Sequence, residues 1–190
     1  MMKILMLDNY DSFTYNIVHY IEKIIGQTIT VARNDKIALE KIKNFDKIVL
    51  SPGPGLPDEG GIMKALIKEY APTKSILGIC LGHQAIAEVF GAGLINMHKV
   101  YHGVATPIHV QDSSEPLFAG IPSTFEGGRY HSWIVDTNNF PDCMQITALD
   151  DEQRIMALRH KTYDVRGLQF HPESVLTPPG FDIIKNWLKK

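Results

Sequence analysis

The chain has 190 residues, of which 44% are hydrophobic, and a formal net charge of −2. This size predicts a single domain over residues 1–190 with a full apolar core, and the near-neutral charge gives no sign of nucleic acid or a membrane as a partner. Two cysteines, Cys80 and Cys143, are too few for a disulfide framework. Because no signal peptide is visible and the apolar opening is far too short to span a membrane, we expect a cytoplasmic protein.

The first half of the chain alternates predicted strands with predicted helices. Strands are predicted for residues 3–7, 28–32 and 47–50 and for the segment entering Cys80, and helices for residues 17–25, 38–42 and 62–70 and after Cys80. The strands are continuously apolar rather than alternating, which is typical of a parallel sheet covered on both faces. We therefore predict an α/β fold with a mostly parallel central sheet flanked by helices. Ligands bind such sheets at the carboxyl ends of the strands, where Cys80 would lie.

The second half of the chain changes character. Residues 108–110, 144–148 and 155–158 are short apolar segments separated by turns, which predict a smaller antiparallel excursion. A strand over residues 165–170 follows. The chain then closes with a helix whose predicted inward side chains are Phe181, Ile184, Trp187 and Leu188.

Cys80 stands where a predicted strand ends and a helix begins, with Gly78 and Gly82 two residues away on each side. This G-x-C-x-G pattern is that of a nucleophile elbow with cysteine in place of serine. The turn of such an elbow is so tight that side chains at the flanking positions would collide, and glycine avoids the collision. The N–H groups and dipole of the following helix favour a thiolate, which is the nucleophilic form. The alternative is a small, inert core cysteine.

A cysteine nucleophile needs a base and a group that orients the base. His171 ends a predicted strand, and Glu173 follows two residues later. If the chain stays extended there, both side chains project to the same side, and the carboxylate can fix the tautomer and stabilise the imidazolium. Most of the eight histidines should be surface or core residues, so His171 is favoured as the base only when Glu173 and Cys80 are considered with it.

Oxyanion donors are predicted at two places. The N–H of Leu81 directly follows the nucleophile, and a second N–H can come from the loop at residues 51–55, where Gly53 lets the backbone approach a ligand. That loop can equally be an ordinary connection, whereas a phosphate-binding loop fits less well because the Walker spacing and lysine are absent. The run at residues 129–133 can begin a strand or line a pocket. His98 and His102 lack a third ligand, so we expect no metal site.

Three motifs together, at residues 78–84, 51–55 and 171–174, resemble those of class I, triad-type glutamine amidotransferases. The opening run at residues 7–16 further resembles the glutaminase subunits of anthranilate synthase and of aminodeoxychorismate synthase. The resemblance covers essentially the whole chain and implies a flavodoxin-like α/β fold.

The resemblance also implies residue roles. Cys80 would form a γ-glutamyl thioester with glutamine, His171 and Glu173 would complete the triad, and the N–H groups of Leu81 and Gly53 would hold the oxyanion. No cofactor is expected in this chain. The residues that would bind L-glutamine are Gly53, Pro54, Gly55, Gln84, Ser132 and Trp133. The family more often has leucine at the position of Trp133, so a side-chain role there is in doubt, whereas a backbone contact would tolerate the change.

The resemblance implies a partner, a chorismate-binding synthase subunit that receives ammonia through an internal passage. That partner would make anthranilate, 4-amino-4-deoxychorismate or both, because it chooses the regiochemistry. The N-terminal loop follows the first strand on the active-site side, and we expect it to contact the partner. Its predicted contact residues are Asp8, Asn9, Tyr10, Asp11, Ser12 and Asn16.

Two other functions compete with this interpretation. A free-standing thiol hydrolase acting on γ-glutamyl bonds would use the same triad but has no need of the N-terminal motif. A binding module that has lost its chemistry would not be expected to keep all three triad positions occupied.

Overall fold

The computed structural model describes residues 2–189. The strands are β1 Ile4–Asp8, β2 Thr30–Arg33, β3 Lys47–Leu50, β4 Ser75–Ile79, β5 Leu94–Asn96, β6 Val104–Val110, β7 Thr124–Arg129, β8 Trp133–Val135, β9 Met144–Leu149, β10 Ile155–His160 and β11 Val165–Leu168. The α-helices are α1 Thr14–Ile25, α2 Met63–Tyr70, α3 Leu81–Val89 and α4 Gly180–Lys189, and short 3₁₀ helices lie at Leu39–Asn44, Pro57–Glu59 and Pro116–Phe118. Within residues 2–189, no helix combines the length and the apolar character needed to cross a bilayer.

One sheet runs through the described part of the chain, with nine strands in the order β2-β1-β3-β4-β11-β10-β9-β6-β7. Neighbours are parallel from β2 to β11 and antiparallel from β11 to β7. The remaining strands, β5 and β8, pair with each other. The predicted α/β fold is confirmed, and the antiparallel excursion extends the same sheet instead of forming a separate layer.

Two apolar cores lie on opposite faces of the parallel half of the sheet. Successive side chains of a strand point to opposite faces, so Ile4 and Met6 of β1 pack into one core and Leu5 and Leu7 into the other. Helices α1 and α4 cover the first face, and α2 and α3 cover the second. Each such fully buried side chain stabilises the fold by about 1.5–3 kcal/mol relative to exposure, which explains the continuously apolar strands.

Several predicted boundaries are wrong. Strand β2 begins at Thr30 and not at residue 28, and the helix expected at residues 38–42 is the 3₁₀ helix Leu39–Asn44. The last parallel strand ends at Leu168 and not at residue 170, because its neighbour β4 ends opposite it, at Ile79. Phe181 is only half-buried, since its ring packs on Tyr20 at a centroid distance of 5.3 Å, outside the core cluster that contains the other inward residues of α4.

The turn between β4 and α3 requires both of its glycines. A Cβ atom on Gly78 would lie 2.4 Å from the carbonyl carbon and oxygen of Gly82, and a Cβ on Gly82 would lie 2.6 Å from the Leu50 carbonyl oxygen. Cys80 between them has a positive φ of 53°. Helix α3 therefore starts in direct contact with strands β3 and β4, as the G-x-C-x-G pattern predicts.

Replacing Gly82 with alanine should lower the free energy of unfolding by about 1–3 kcal/mol, because the added methyl group overlaps the β3 backbone. Urea denaturation of wild type and variant measures the difference. Gly93→Ala is the matched control, since a Cβ there meets the nearest atom, of Asp136, at an ordinary 3.7 Å. Equal midpoints for Gly82→Ala and wild type would contradict this account of the turn.

Candidate active site

Cys80 occupies the position just before the first residue of α3, and its side chain is buried. The N–H of Cys80 donates to the Leu168 carbonyl of β11 over 2.8 Å, so the turn is anchored to the neighbouring strand. The first N–H groups of an α-helix have no partner within the helix, which leaves the Leu81 N–H among those available beside the thiol. The structure thus presents the sulfur at a helix N-terminus, in the arrangement predicted for a nucleophile.

His171 and Glu173 form a buried pair. Nδ1 of His171 lies 2.6 Å from Oε1 of Glu173, and both residues are at most 3% exposed. The expected extended geometry is wrong, because residues 172–173 form a turn in which the Ser174 N–H donates to the His171 carbonyl. The backbone N–H of His171 donates to the Gly128 carbonyl of β7 over 2.9 Å, so β7 helps to place the imidazole.

The protonated form of His171 is strongly favoured. Burial by itself lowers the pKa of His171, but its interactions with the side chains of Cys80 and Glu173 outweigh burial and raise the pKa to about 10. Because this value lies above the unfolded value of about 6.5, the pair contributes its full stability below about pH 6.5 and loses it as the pH rises through about 10. Among the described residues, Nε2 of His171 has no well-formed hydrogen bond.

Two aromatic rings enclose the His171 imidazole. The ring centroids of Tyr130 and Phe13 lie 4.8 Å and 5.5 Å from that of His171, and the two aromatic rings also contact each other at 5.0 Å. The Tyr130 hydroxyl lies 3.2 Å from Oγ of Ser174. Through Phe13, the N-terminal segment touches the candidate base directly.

A cavity of about 210 Å³ opens beside Cys80. Its wall contains both predicted oxyanion residues and all of the predicted glutamine-binding residues: Gly53, Pro54, Gly55, Leu81, Gln84, Ser132 and Trp133. Gly53 lies so close to Asn9 and Leu81 that a Cβ there would be 2.7 Å from the Asn9 carbonyl oxygen. The structure therefore brings together loops that are up to 80 residues apart, and residues 130–133 of the predicted polar run line this cavity.

A second cavity, of about 490 Å³, reaches Cys80 from another side. It is lined by residues 10–13 and by His171, and it shares Cys80, Tyr130 and the loop at Gly53 with the first cavity. The thiol consequently borders two openings, one of them framed by the N-terminal segment.

The residues predicted to contact a partner fall into two groups. Asp8 and Asn9 are buried, because the Asp8 carboxylate accepts from the Tyr10 N–H and the Thr14 hydroxyl, and the Asn9 side chain bonds to Ser51 and Asn34. They shape the loop and offer a partner little surface. Of the other predicted residues, Tyr10, Ser12 and Asn16 are exposed and Asp11 is half-buried.

Sequence reasoning missed Gln169. Its side chain is fully buried, with Nε2 located 3.7 Å from Sγ of Cys80 and Oε1 located 3.2 Å from Nε2 of Gln84. Gln169 lies two residues before His171, and side chains two residues apart in an extended segment point to the same side. That spacing is the signal that could have indicated Gln169. Gln169 links the thiol to the wall of the smaller cavity.

The arrangement suits acyl transfer. A thiol at a helix N-terminus, a proton-carrying imidazole and a carboxylate that orients it are the parts of a nucleophilic triad. Within residues 2–189, no three His, Cys, Asp or Glu side chains are grouped so as to hold a metal ion.

Comparison with known proteins gives a consistent result. Residues 5–190 match the family model described as glutamine amidotransferase class-I. The aminodeoxychorismate synthase component 2 of Klebsiella aerogenes is 43% identical over 98% of this chain and 100% of that protein. The anthranilate synthase component 2 of Pseudomonas aeruginosa is 41% identical over 98% of this chain and 95% of its own length. A crystal structure of a Thermoplasma acidophilum protein, described as one subunit of a GMP synthase, is 30% identical, with a TM-score of 0.88 over 100% of this chain and 93% of that one.

Replacing Glu173 with glutamine should lower the pKa of His171, because the carboxylate is one of the two partners that raise it. NMR titration of isotope-labelled histidines in the isolated chain would follow the ring. Glu126→Gln, at an exposed position of β7, is the control and should leave the titration unchanged. An unaltered His171 titration in the Glu173→Gln variant would contradict the assigned cause.

Proposed function

Because this chain belongs to the class-I glutamine amidotransferase family, we propose that it hydrolyses glutamine and delivers ammonia to a chorismate-binding synthase subunit. The observation that carries the proposal is the meeting of Cys80, His171 and Glu173 beside a cavity walled by the predicted glutamine-binding residues. The relatives named component 2 of anthranilate synthase and of aminodeoxychorismate synthase imply a component 1 partner. The product would be anthranilate, 4-amino-4-deoxychorismate or both.

The proposed reaction begins with attack of the Cys80 sulfur on the side-chain carbonyl carbon of glutamine. The carbon–nitrogen bond breaks, His171 gives a proton to the departing nitrogen, and ammonia leaves a γ-glutamyl thioester behind. His171 then takes a proton from water, whose oxygen attacks the thioester and releases glutamate and the thiol. Glu173 keeps Nδ1 of His171 protonated and stabilises the imidazolium, and no step needs a metal or cofactor.

The N–H groups of Leu81 and Gly53 are the proposed donors to the negative oxygen that forms during each attack. Both residues lie on the wall of the cavity that Cys80 borders. Loss of one such donor costs about 3 kcal/mol in the transition state. The proposed contacts to glutamine itself come from the other residues of that wall: Pro54, Gly55, Gln84, Ser132 and Trp133.

The larger cavity is the proposed exit for ammonia. It is framed by residues 10–13, whose exposed members would meet the partner. Ammonia must stay unprotonated to act as a nucleophile, so a path covered by a docked subunit protects the reaction. Phe13 touches His171 and Tyr130, so a partner that moves the N-terminal loop would also shift the surroundings of the base.

Replacing Cys80 with serine should abolish product formation from glutamine in the complex with the synthase subunit, because the thioester cannot form. Synthesis from added ammonium should survive, since that reaction does not use the thiol. The measurement is product formation from chorismate with each nitrogen source. Cys143→Ser is the matched control, because Cys143 is the other free cysteine and is exposed. Loss of both activities in Cys80→Ser would show that Cys80 is structural.

Glutamine hydrolysis should be slow for the isolated chain and should rise when the synthase subunit and chorismate are added. Phe13→Ala should reduce that stimulation severalfold, because it removes the ring between the N-terminal loop and His171. Tyr20→Ala is the control, since Tyr20 is an aromatic residue of the helix that follows Phe13, and its ring packs on Phe181. Full activity of the isolated chain would favour a free-standing γ-glutamyl hydrolase instead.

A further inference from the structure

A buried series of polar contacts runs behind the wall of the smaller cavity. The guanidinium of Arg129, only 1% exposed, donates from Nη1 to Oδ2 of Asp150 over 2.7 Å and from Nε to Nε2 of His131 over 3.1 Å. Nδ1 of His131 lies 2.9 Å from the carbonyl oxygen of Trp133. The series thus connects a buried ion pair to the backbone of a cavity residue.

The chemistry of Arg129 decides the tautomer of His131. A guanidinium can only donate, so Nε2 of His131 must accept, and the proton of the neutral ring must be on Nδ1. Burial, and after it the charge of Arg129, lowers the pKa of His131 to about 3, which keeps the ring neutral at physiological pH. The Nδ1–H group is then a permanent donor to the Trp133 carbonyl.

The Trp133 carbonyl receives a second donor. Nε2 of Gln84, from helix α3, lies 2.9 Å from the same oxygen, so both of its lone pairs are used by the protein. The carbonyl therefore joins the segment at residues 131–133 to the helix that starts at the nucleophile. His131, Gln84, Ser132 and Trp133 all line the smaller cavity.

A buried ion pair is a weak source of stability, because desolvation offsets most of its Coulomb energy. The pair of Arg129 with Asp150 is almost completely buried, and the Arg129 guanidinium also lies 3.8 Å from the ring centroid of Tyr101. Tyr101 in turn stacks on His131 at a centroid distance of 5.8 Å. These contacts hold the guanidinium in one place, which is what a fixed donor to His131 requires.

From these contacts we infer that Arg129 and His131 are positioning residues for glutamine, holding the edge of the cavity at Ser132 and Trp133 in its binding geometry. The inference rests on the proposed function of the cavity. Neither residue takes part in the chemical steps. Loss of the His131 donor should weaken glutamine binding and leave the reaction of bound glutamine nearly unchanged.

The test compares His131→Leu with His131→Asn in the complex with the synthase subunit. Leucine removes the donor, and the KM for glutamine should rise about tenfold, the effect of one lost buried hydrogen bond, with kcat within about twofold. Asparagine places an amide N–H near the position of Nδ1 and should restore most of the affinity. His109→Leu is the control, because His109 is bonded to Thr124 and Asp151 and does not line the cavity.

Equal KM values for the leucine and asparagine variants, or a fall in kcat with an unchanged KM, would overturn the inference. A second measurement does not depend on any variant folding. Nitrogen NMR of labelled histidines in the wild-type chain should show His131 neutral and protonated on Nδ1 from about pH 5 to about pH 9, well above its lowered pKa. A charged ring, or one protonated on Nε2, would also overturn it. A wild-type complex unable to use glutamine would instead defeat the proposed function.

Discussion

The backbone hydrogen bond from the Cys80 N–H to the Leu168 carbonyl joins the turn between β4 and α3 to the strand that leads to His171. Strands β4 and β11 are parallel neighbours, so the thiol and the imidazole emerge at the same end of the sheet. The positive φ of Cys80 costs about 1–3 kcal/mol, which the packing of Gly78 and Gly82 against neighbouring backbone sustains. Cys80 directly follows β4, and His171 follows β11 and is further held by the carbonyl of Gly128, so strands anchor both reactive groups.

Three buried histidines near this end of the sheet are held in different protonation states. His171 contacts a carboxylate and the thiol, and its pKa rises to about 10. His83 and His131 have no acidic partner among the described residues, and burial lowers their pKa values to about 4 and about 3. His171 is therefore the only one of these three rings that carries a positive charge, and that charge interacts with the Cys80 sulfur and the Glu173 carboxylate.

The sequence was sufficient to predict the turn at Cys80 and the end of the sheet at which it meets His171, but not the turn at residues 172–173. The strand–turn–helix around Cys80, and the meeting of this turn with His171, follow from glycine spacing and from the common edge at which parallel strands end. The polar series from Asp150 to Trp133 could not be predicted, because it depends on the antiparallel pairing of β6 with both β7 and β9, whose register the sequence does not specify. The burial of Asp8 and Asn9 was not predicted. A sequence does not show that a short polar side chain bonds to the backbone of its own loop, as Asp8 does, or to distant loops, as Asn9 does with Ser51 and Asn34.

The left-handed backbone of Tyr10, with φ of 62°, has a consequence for association. The Asp8 carboxylate accepts its N–H, its hydroxyl donates to Asp35 over 2.7 Å, and Arg33 lies 4.6 Å from its ring centroid. The residue is nevertheless 46% exposed, so the loop presents a large aromatic surface already fixed in one conformation. A protein that docks there loses little conformational entropy in ordering the loop, and more of the contact energy remains as affinity.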